Sequence, residues 1–224
     1  MRYYPIYLDL KDRTVLVVGG GVIAEGKAAQ LIEAGARVKV VSLELTEGLR
    51  EWVRQGVIEY RAGIFAESDL AGVVLVMSAT DNQAVNEAVA RAAAARGLLY
   101  NTVDQAMLCN FITPALVTRA DLQISISSSG GSPSLVQRVK REVAALIGEE
   151  YGVLLELAAE MRVKAKEMVP DFERRRALLH AFVESDALDK LRAGQREEAR
   201  HLANKLLAAA ATPPEKAEFI EEIN

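Results

Sequence analysis

A predicted strand, a glycine-rich turn and a predicted helix in immediate succession constrain the fold more than any other feature of this sequence. Residues 14–18 form an apolar, mostly β-branched run, and the motif Gly19-Gly-Gly21-Val-Ile-Ala24 follows directly. Apolar residues then recur at helical spacing until Gly35. In this context Gly19 permits a tight turn, Gly21 lets the backbone approach a pyrophosphate, and Ala24 allows close packing of helix and strand. The motif predicts a dinucleotide site, with a plain βα turn as the alternative.

Short β-branched runs alternate with helical stretches as far as residue 103, which is typical of a parallel sheet with helices on its faces. The predicted strands cover residues 14–18, 37–42, 58–61, 73–79 and 98–103. An alanine-rich helix over residues 83–96 separates the last two strands, with Asp81 at the N-cap position and Gly97 at its end.

The pattern changes after Asn110. Residues 111–118 and 122–128 are predicted strands, and apolar and polar residues alternate in the second one. Ser132 and Pro133 then begin an amphipathic helix, as its cap and its first residue. This hairpin and helix carry more apolar surface than they can bury alone, so we expect the segment to form a homodimer.

The predicted fold class is α/β in three parts. A Rossmann-type NAD-binding domain covers residues 1–113, a small α+β dimerisation segment covers residues 114–147, and a helical domain covers residues 148–224. The net charge of -4 gives no general attraction to nucleic acid or to an anionic membrane. No apolar run approaches the roughly 20 residues that span a bilayer. Cys109 is the only cysteine, which excludes an intrachain disulfide and favours a cytoplasmic location.

Polar residues stand where the predicted strands end, and ligands of parallel sheets bind at that edge. Ser42 takes the place of the acidic residue that usually holds the ribose of NAD, and Glu44 lies two residues further on. Arg37 and Lys39 leave NADP open, although we favour NAD. The predicted cofactor-binding residues are Gly19, Gly20, Gly21, Val22, Ile23, Ser42, Ala79, Thr80, Asn101 and Val103.

Two aspartates follow the last strands of this sheet. We interpret Asp81 as a helix cap rather than a chemical group. Asp104 has no clear helix after it to cap, so its carboxylate could act as a general base beside a nicotinamide.

A loop of small residues, 127–132, runs into the predicted helix that Pro133 begins. Such a loop at a helix N-terminus can bind an anion, and Arg138, Lys140 and Arg141 could reinforce it. A glycine turn with a capping serine and solvated basic residues is an equal alternative. The predicted substrate-binding residues are Ser127, Ser128, Ser129, Gly130, Gly131 and Ser132.

Taken together, these clusters resemble the precorrin-2 dehydrogenase family of siroheme synthesis. The family includes stand-alone enzymes, bifunctional dehydrogenase–chelatases and the N-terminal part of fused siroheme synthases. Two positions depart from its pattern: Gly26 replaces a basic residue, and Ser129 replaces a glycine. The pieces that match are Tyr4-Pro5, Val17 through Gly21, Lys27, Ala79 through Asp81, Asn101 through Asp104, Phe111-Ile112, Pro114, and Ser127-Ser128 through Ser132-Pro133.

The resemblance implies that NAD accepts a hydride from precorrin-2 to give sirohydrochlorin. In some members the same site then inserts ferrous iron, so a dehydrogenase alone and a bifunctional enzyme both stay open. It further implies that Asp104 is catalytic and that Ser128 lines the tetrapyrrole site, where some relatives are phosphorylated. We expect His180 and His201 to be surface or core residues, and we predict no metal ligand. The alternative from another class is a non-catalytic NAD-sensing module, which would need neither Asp104 nor the serine loop.

Overall fold

The computed structural model describes residues 3–212, and the chain divides into two compact units between Thr113 and Pro114. The first unit contains a five-stranded sheet in the order β3-β2-β1-β4-β5, and all of its strand pairs are parallel. The strands are β1 (Thr14–Val18), β2 (Arg37–Ser42), β3 (Ile58–Ala62), β4 (Val73–Ser78) and β5 (Leu99–Thr102). This sheet confirms the Rossmann-type α/β prediction.

The strand order reverses between β1 and β4, which makes their carboxyl ends the expected ligand edge of the sheet. Every residue of β1 after Thr14 is buried, because helices cover both faces of this central strand. Helices α1 (Val22–Glu33) and α2 (Glu47–Arg54) pack on one face, and α3 (Gln83–Ala95) packs on the other.

The structure corrects two local predictions in this unit. Asn82, not Asp81, caps α3, since its side-chain oxygen accepts a hydrogen bond from the Val85 amide at 3.2 Å. The strand predicted to start at Phe111 starts only at Ala115. The chain instead runs along the free edge of β5, where the Asn110 side chain bonds the Tyr100 amide at 2.8 Å and the Leu98 carbonyl at 2.9 Å.

The second unit begins with an antiparallel hairpin of β6 (Ala115–Arg119) and β7 (Leu122–Ile126), followed by α4 (Pro133–Leu146). Ser132 caps α4 through the Leu135 amide, and Pro133 is its first residue, as predicted. Four helices complete the unit around a separate apolar core: α5 (Glu150–Met168), α6 (Phe172–Val183), α7 (Ala187–Arg192) and α8 (Arg196–Ala211). Hairpin, α4 and bundle form one unit here, whereas the sequence suggested a boundary after residue 147. Residues 213–224 of the predicted helical domain lie outside the described residues.

Arg119 joins the hairpin to the end of α4. Its guanidinium donates to the Ala144 carbonyl at 2.9 Å and to the Ile147 carbonyl at 2.8 Å. Carbonyls at a helix C-terminus lack partners within the helix and favour a positive charge. The side chain is only 16% exposed, so this capping is well shielded from solvent.

Candidate active site

The first two glycines of the turn after β1 are required by close packing at the ligand edge. Gly19 has a φ of +123°, and a Cβ on it would lie 2.3 Å from the Ala79 carbonyl oxygen. A Cβ on Gly20 would lie 1.9 Å from the Glu44 carbonyl oxygen. Both distances are far shorter than van der Waals contact. The end of β1 therefore lies directly between the chain segments that follow β4 and β2.

The third glycine faces open space. A Cβ on Gly21 would meet no heavy atom within 4 Å, and Gly21 is the N-cap of α1 with no side chain accepting the first amides. The next two residues, Val22 and Ile23, are 79% and 52% exposed. Free amides and the positive end of the helix dipole favour a phosphate at this point. The turn therefore fits the diphosphate of a dinucleotide.

Ser42 lies beside this turn. Its Oγ is 2.7 Å from the position that a Cβ on Gly20 would take, and it makes no hydrogen bond among residues 3–212. Its carbonyl is fixed by the Tyr60 hydroxyl and the Gly63 amide, each at 3.0 Å. A fixed backbone and a free hydroxyl suit a bond to a ribose hydroxyl, and the exposed Glu44 lies nearby in sequence.

The cations that left NADP open are not at this end of β2. Arg37 is the first residue of β2 and Ser42 is the last, so the two residues lie at opposite ends of the same strand. Lys39 forms an ion pair with Asp69, with 3.5 Å between Nζ and Oδ1. The structure therefore removes the sequence-based case for a 2′-phosphate site at these two residues.

Asp69 is a buried carboxylate that the sequence reasoning missed. It is 2% exposed, both of its oxygens bind Arg61, and it accepts the Ala66 amide at 2.8 Å. Burial pushes the pKa of Asp69 up, but the hydrogen bonds from Arg61 and Ala66 and the charges of Arg61 and Lys39 outweigh it and lower the pKa. This cluster fixes β2 and β3 to each other next to the Ser42 end.

Thr80 belongs to a buried polar network after β4. Asn86, 2% exposed on α3, accepts hydrogen bonds from Ser78 Oγ at 2.7 Å and Thr80 Oγ1 at 3.0 Å. Its amide nitrogen donates to the Thr80 carbonyl at 3.0 Å. The Thr80 hydroxyl therefore fixes its own loop, next to Ala79. Asn86 was missed, although a polar residue on the apolar face of an alanine-rich helix is a recognisable signal.

Asp104 is the third residue of a tight turn that starts at the end of β5. The Gln105 amide donates to the Thr102 carbonyl at 3.4 Å, and Asp104 has a φ of +58°. Turns with a left-handed third residue favour glycine or asparagine, so an aspartate here is mildly strained. Its side chain is exposed, and among residues 3–212 its carboxylate makes no hydrogen bond or ion pair.

Two backbone hydrogen bonds connect this turn, through the end of β4, to the strand that precedes the glycine turn. The Val103 amide donates to the Ser78 carbonyl at 2.9 Å, and the Ala79 amide donates to the Val18 carbonyl at 2.8 Å. The structure thus places Asp104 and the glycine turn at one edge of the first unit. The Asn101 side-chain nitrogen at this edge donates to Phe111 O at 3.0 Å and to Cys109 Sγ at 3.5 Å.

Lys27 lies on α1, partly buried. Its Nζ donates to Thr113 Oγ1 at 3.4 Å, and among residues 3–212 it has no carboxylate partner within 4.0 Å. Burial lowers the pKa of this lysine. Its contact links α1 to the last residue of the first unit.

The serine loop lies in the second unit, and much of its hydrogen bonding is internal. Ser128 Oγ accepts the Ser132 amide and Ser127 Oγ accepts the Ser129 amide, each at 3.0 Å. The Gly131 amide donates to the Ser128 carbonyl. These contacts occupy several of the amides and hydroxyl oxygens of the loop. The serine hydroxyl protons and the Gly130 amide, for which no partner is seen among the described residues, are among the groups that the loop can offer to an anion.

The basic residues on α4 differ in whether they are ion-paired within the protein. Arg138 is ion-paired with Glu142 at 2.8 Å on the exposed surface. Lys140 and Arg141 make no ion pair among the described residues. Of the three basic residues of α4, Lys140 and Arg141 are therefore the two without an ion-pair partner among residues 3–212.

The two histidines are exposed on α6 and α8, as expected of helix-surface residues. Between residues 3 and 212 no three His, Cys, Asp or Glu side chains are grouped as metal ligands would be. In the same part of the chain, every helix is too short or too polar to cross a membrane.

Comparison with known proteins agrees with this geometry. The NAD(P)-binding family model matches residues 6–115, and the sirohaem synthase dimerisation region matches residues 150–207. The second match covers the helical bundle and begins after the segment that the sequence analysis assigned to dimerisation. The first unit is thus an NAD(P)-binding domain.

Relatives and a solved structure extend the likeness to most of the chain. Siroheme synthases of Methylobacillus flagellatus and Pseudomonas aeruginosa are 39% and 37% identical over 208 residues, which is 93% of this chain in both cases. The siroheme synthase of Nitrosococcus oceani is 37% identical over 89% of the chain. The chain spans less than half of each relative, at 44%, 45% and 42% of their lengths.

The structure of SirC, a precorrin-2 dehydrogenase, aligns with a TM-score of 0.78 at 28% identity, covering 91% of this chain and all of that one. The chain therefore belongs to the precorrin-2 dehydrogenase and siroheme synthase family.

Proposed function

We propose that this protein catalyses the NAD-dependent dehydrogenation of precorrin-2 to sirohydrochlorin in siroheme biosynthesis. The observation that carries the proposal is the Asp104 carboxylate, which is unpaired among the described residues and is connected to the glycine turn through the end of β4 by the hydrogen bonds at Ser78 and Ala79. A nucleotide-sensing module would need the turn but would have no use for a strained, exposed carboxylate beside it.

Different residues of the first unit bind the cofactor and remove the proton. Dehydrogenation removes a hydride and a proton from the substrate, and NAD, when bound, supplies the hydride acceptor. The amides at the start of α1 hold the diphosphate, and the Ser42 hydroxyl holds the ribose. The Asp104 carboxylate takes the proton, since it is exposed and has no competing partner among the described residues.

We propose NAD rather than NADP as the cofactor. Lys39, on the strand that ends at Ser42, and Arg61, on the neighbouring strand, are both ion-paired with Asp69 and so are not free to pair with a 2′-phosphate. Glu44 would repel that phosphate. A fluorescence titration should show much tighter binding of NAD, and equal saturation by NADP would contradict this preference.

The serine loop of the second unit supports a polyanionic substrate. Hydroxyls of Ser127 and Ser128 and the Gly130 amide can donate to the carboxylates of a tetrapyrrole, with Lys140 and Arg141 adding positive charge. Replacing Ser128 by alanine should raise the KM for precorrin-2 and leave NAD affinity unchanged. A variant with unaltered KM would remove Ser128 from the substrate site.

An anaerobic assay with purified protein, precorrin-2 and NAD tests the function directly. We expect NADH and sirohydrochlorin to appear together in equal amounts. Binding of NAD without turnover would favour the sensor instead.

Ferrous iron is the candidate substrate of a second step. Adding ferrous or cobaltous ion to sirohydrochlorin with the protein tests it, because a chelatase must exceed the rate of the metal alone. Equal rates would restrict the protein to dehydrogenation.

We also propose that the protein works as a cytoplasmic homodimer. The match of the bundle to a dimerisation region supports the dimer, and a single cysteine without a disulfide partner suits a reducing compartment.

A further inference from the structure

The Cys109 thiol bonds both ends of the turn that carries Asp104. Its sulfur accepts the Thr102 amide at 3.2 Å and lies 3.3 Å from the carbonyl oxygens of both Thr102 and Gln105. It also accepts the Asn101 side-chain amide at 3.5 Å. One side chain therefore contacts the residues before and after Asp104.

The turn needs such support because its own hydrogen bonding is weak. The bond that closes it, from the Gln105 amide to the Thr102 carbonyl, is long at 3.4 Å. Asp104 has left-handed φ without being glycine, a conformation that persists where surrounding contacts hold it. A thiol is a weak donor and acceptor, but it can serve both kinds of group at once.

Packing alone does not explain this cysteine. Cys109 is only partly buried and is not part of either apolar core of the first unit. Truncating it would leave a small gap at the surface rather than an internal cavity. Its specific contribution is hydrogen bonding to the loop.

We propose that Cys109 is a positioning residue for the dehydrogenation, with its thiol holding the Asp104 carboxylate at the cofactor edge. The inference rests on the proposed function. Cysteine would then act through the geometry of Asp104 without touching substrate or cofactor.

Two substitutions at this position separate hydrogen bonding from volume. Cys109→Ser keeps a donor and an acceptor, whereas Cys109→Ala has neither. We expect Cys109→Ala to lower kcat about tenfold or more, because small displacements of a reacting group cost rate steeply. The KM for NAD and the melting temperature should stay near the wild-type values, and Cys109→Ser should recover most of kcat.

Because this is the only cysteine, a thiol reagent gives an independent test. Methyl methanethiosulfonate forms a methyl disulfide on Sγ, releases methanesulfinate and removes the thiol proton. The modified wild type should bind NAD but lose turnover, and dithiothreitol should restore it. Cys109→Ser should be indifferent to the reagent.

Full kcat in Cys109→Ala would overturn the proposal, as would equal losses of kcat, NAD affinity and stability, which would indicate a purely structural role. If the wild type does not oxidise precorrin-2, the proposed function fails. Hydrogen exchange then decides the inference separately: the Thr102 and Gln105 amides should exchange faster in Cys109→Ala than in Cys109→Ser, and equal rates would reject it.

Discussion

Asp104 combines a strained backbone with a free carboxylate, and these two properties can be separated by one substitution. Asparagine has nearly the same shape and tolerates left-handed φ well, but it cannot accept a proton as a carboxylate does. We expect Asp104→Asn to lower kcat by about 100-fold or more, in the range that general bases contribute. NAD affinity and the free energy of unfolding should be unchanged, as measured by titration and urea denaturation.

Asp81 offers a matched control for that experiment. It is an exposed aspartate in the segment after β4, and Asn82 rather than Asp81 caps α3. Asp81→Asn should therefore retain the wild-type kcat. Comparable activity of the two variants would show that Asp104 is not the base.

The buried carboxylate of Asp69 makes a prediction about acid stability. Its pKa is lowered in the folded state, so this group stabilises the fold fully above the ordinary aspartate pKa of about 3.9 and progressively less as pH falls through the folded pKa. Asp69→Asn should lower the free energy of unfolding by about 1–3 kcal/mol at pH 7, because Arg61 and Lys39 lose their carboxylate. Urea denaturation should show this deficit shrinking near pH 3. A deficit independent of pH would contradict the assignment.

The sequence predicts which residues stand at the ligand edge, but it does not predict which residues they contact. Ser42, Thr80, Asn101 and Asp104 follow from strand ends and parallel topology. Their hydrogen-bonding partners Asn86 and Cys109 lie in other parts of the chain. Side-chain hydrogen bonds of this kind produce no periodic pattern in the sequence. The left-handed φ of Asp104 cannot be predicted from the sequence either, because an aspartate does not indicate a positive φ as a glycine does.

In the turn between β1 and α1, two neighbouring glycines have different expected roles: one is needed for packing and the other leaves room for the ligand. An alanine at Gly20 would clash with the Glu44 backbone at 1.9 Å, whereas at Gly21 it would meet nothing within 4 Å. We expect Gly20→Ala to destabilise the protein by about 1–3 kcal/mol, the usual cost of overpacking. Gly21→Ala should melt close to wild type yet bind NAD at least about tenfold more weakly. Thermal unfolding and NAD titration on both variants check this, and loss of stability in both would mean that Gly21 is also structural.

The strands of the sheet are predicted well because buried parallel strands require runs of valine and leucine, which residues 14–18 and 73–78 supply. The errors fall where side chains replace the backbone as hydrogen-bonding partners. Asn110 bonds the edge of β5 through its amide, so the chain near Phe111 is apolar without being a strand. Asn82 likewise caps α3 because its oxygen reaches the Val85 amide.

Hydrophobic patterning alone does not show which elements of the second unit pack together. The hairpin and α4 look like a separate segment in sequence, since their alternation and helical periodicity are distinct from those of the bundle. In the structure they share a unit with α5–α8, where a Cβ on Gly152 of α5 would lie 2.9 Å from the Arg119 carbonyl oxygen of the hairpin. Close approach of this kind depends on one missing side chain and cannot be inferred from periodicity.

The interface of the proposed homodimer can be located by comparing two exposed apolar residues of the second unit. None of the residues of α4 is fully buried, and Leu146 at its end is 70% exposed. Val163 on α5 is 62% exposed, within the region that matches the dimerisation model. Contiguous exposed apolar patches mark interfaces, and these two residues are candidates for belonging to one. We expect the wild type to sediment at twice the chain mass and Leu146→Glu to shift it toward monomer, because a charge buried in an apolar contact is costly. Dissociation by Val163→Glu alone would move the interface to the bundle, and a monomeric wild type would remove the dimer.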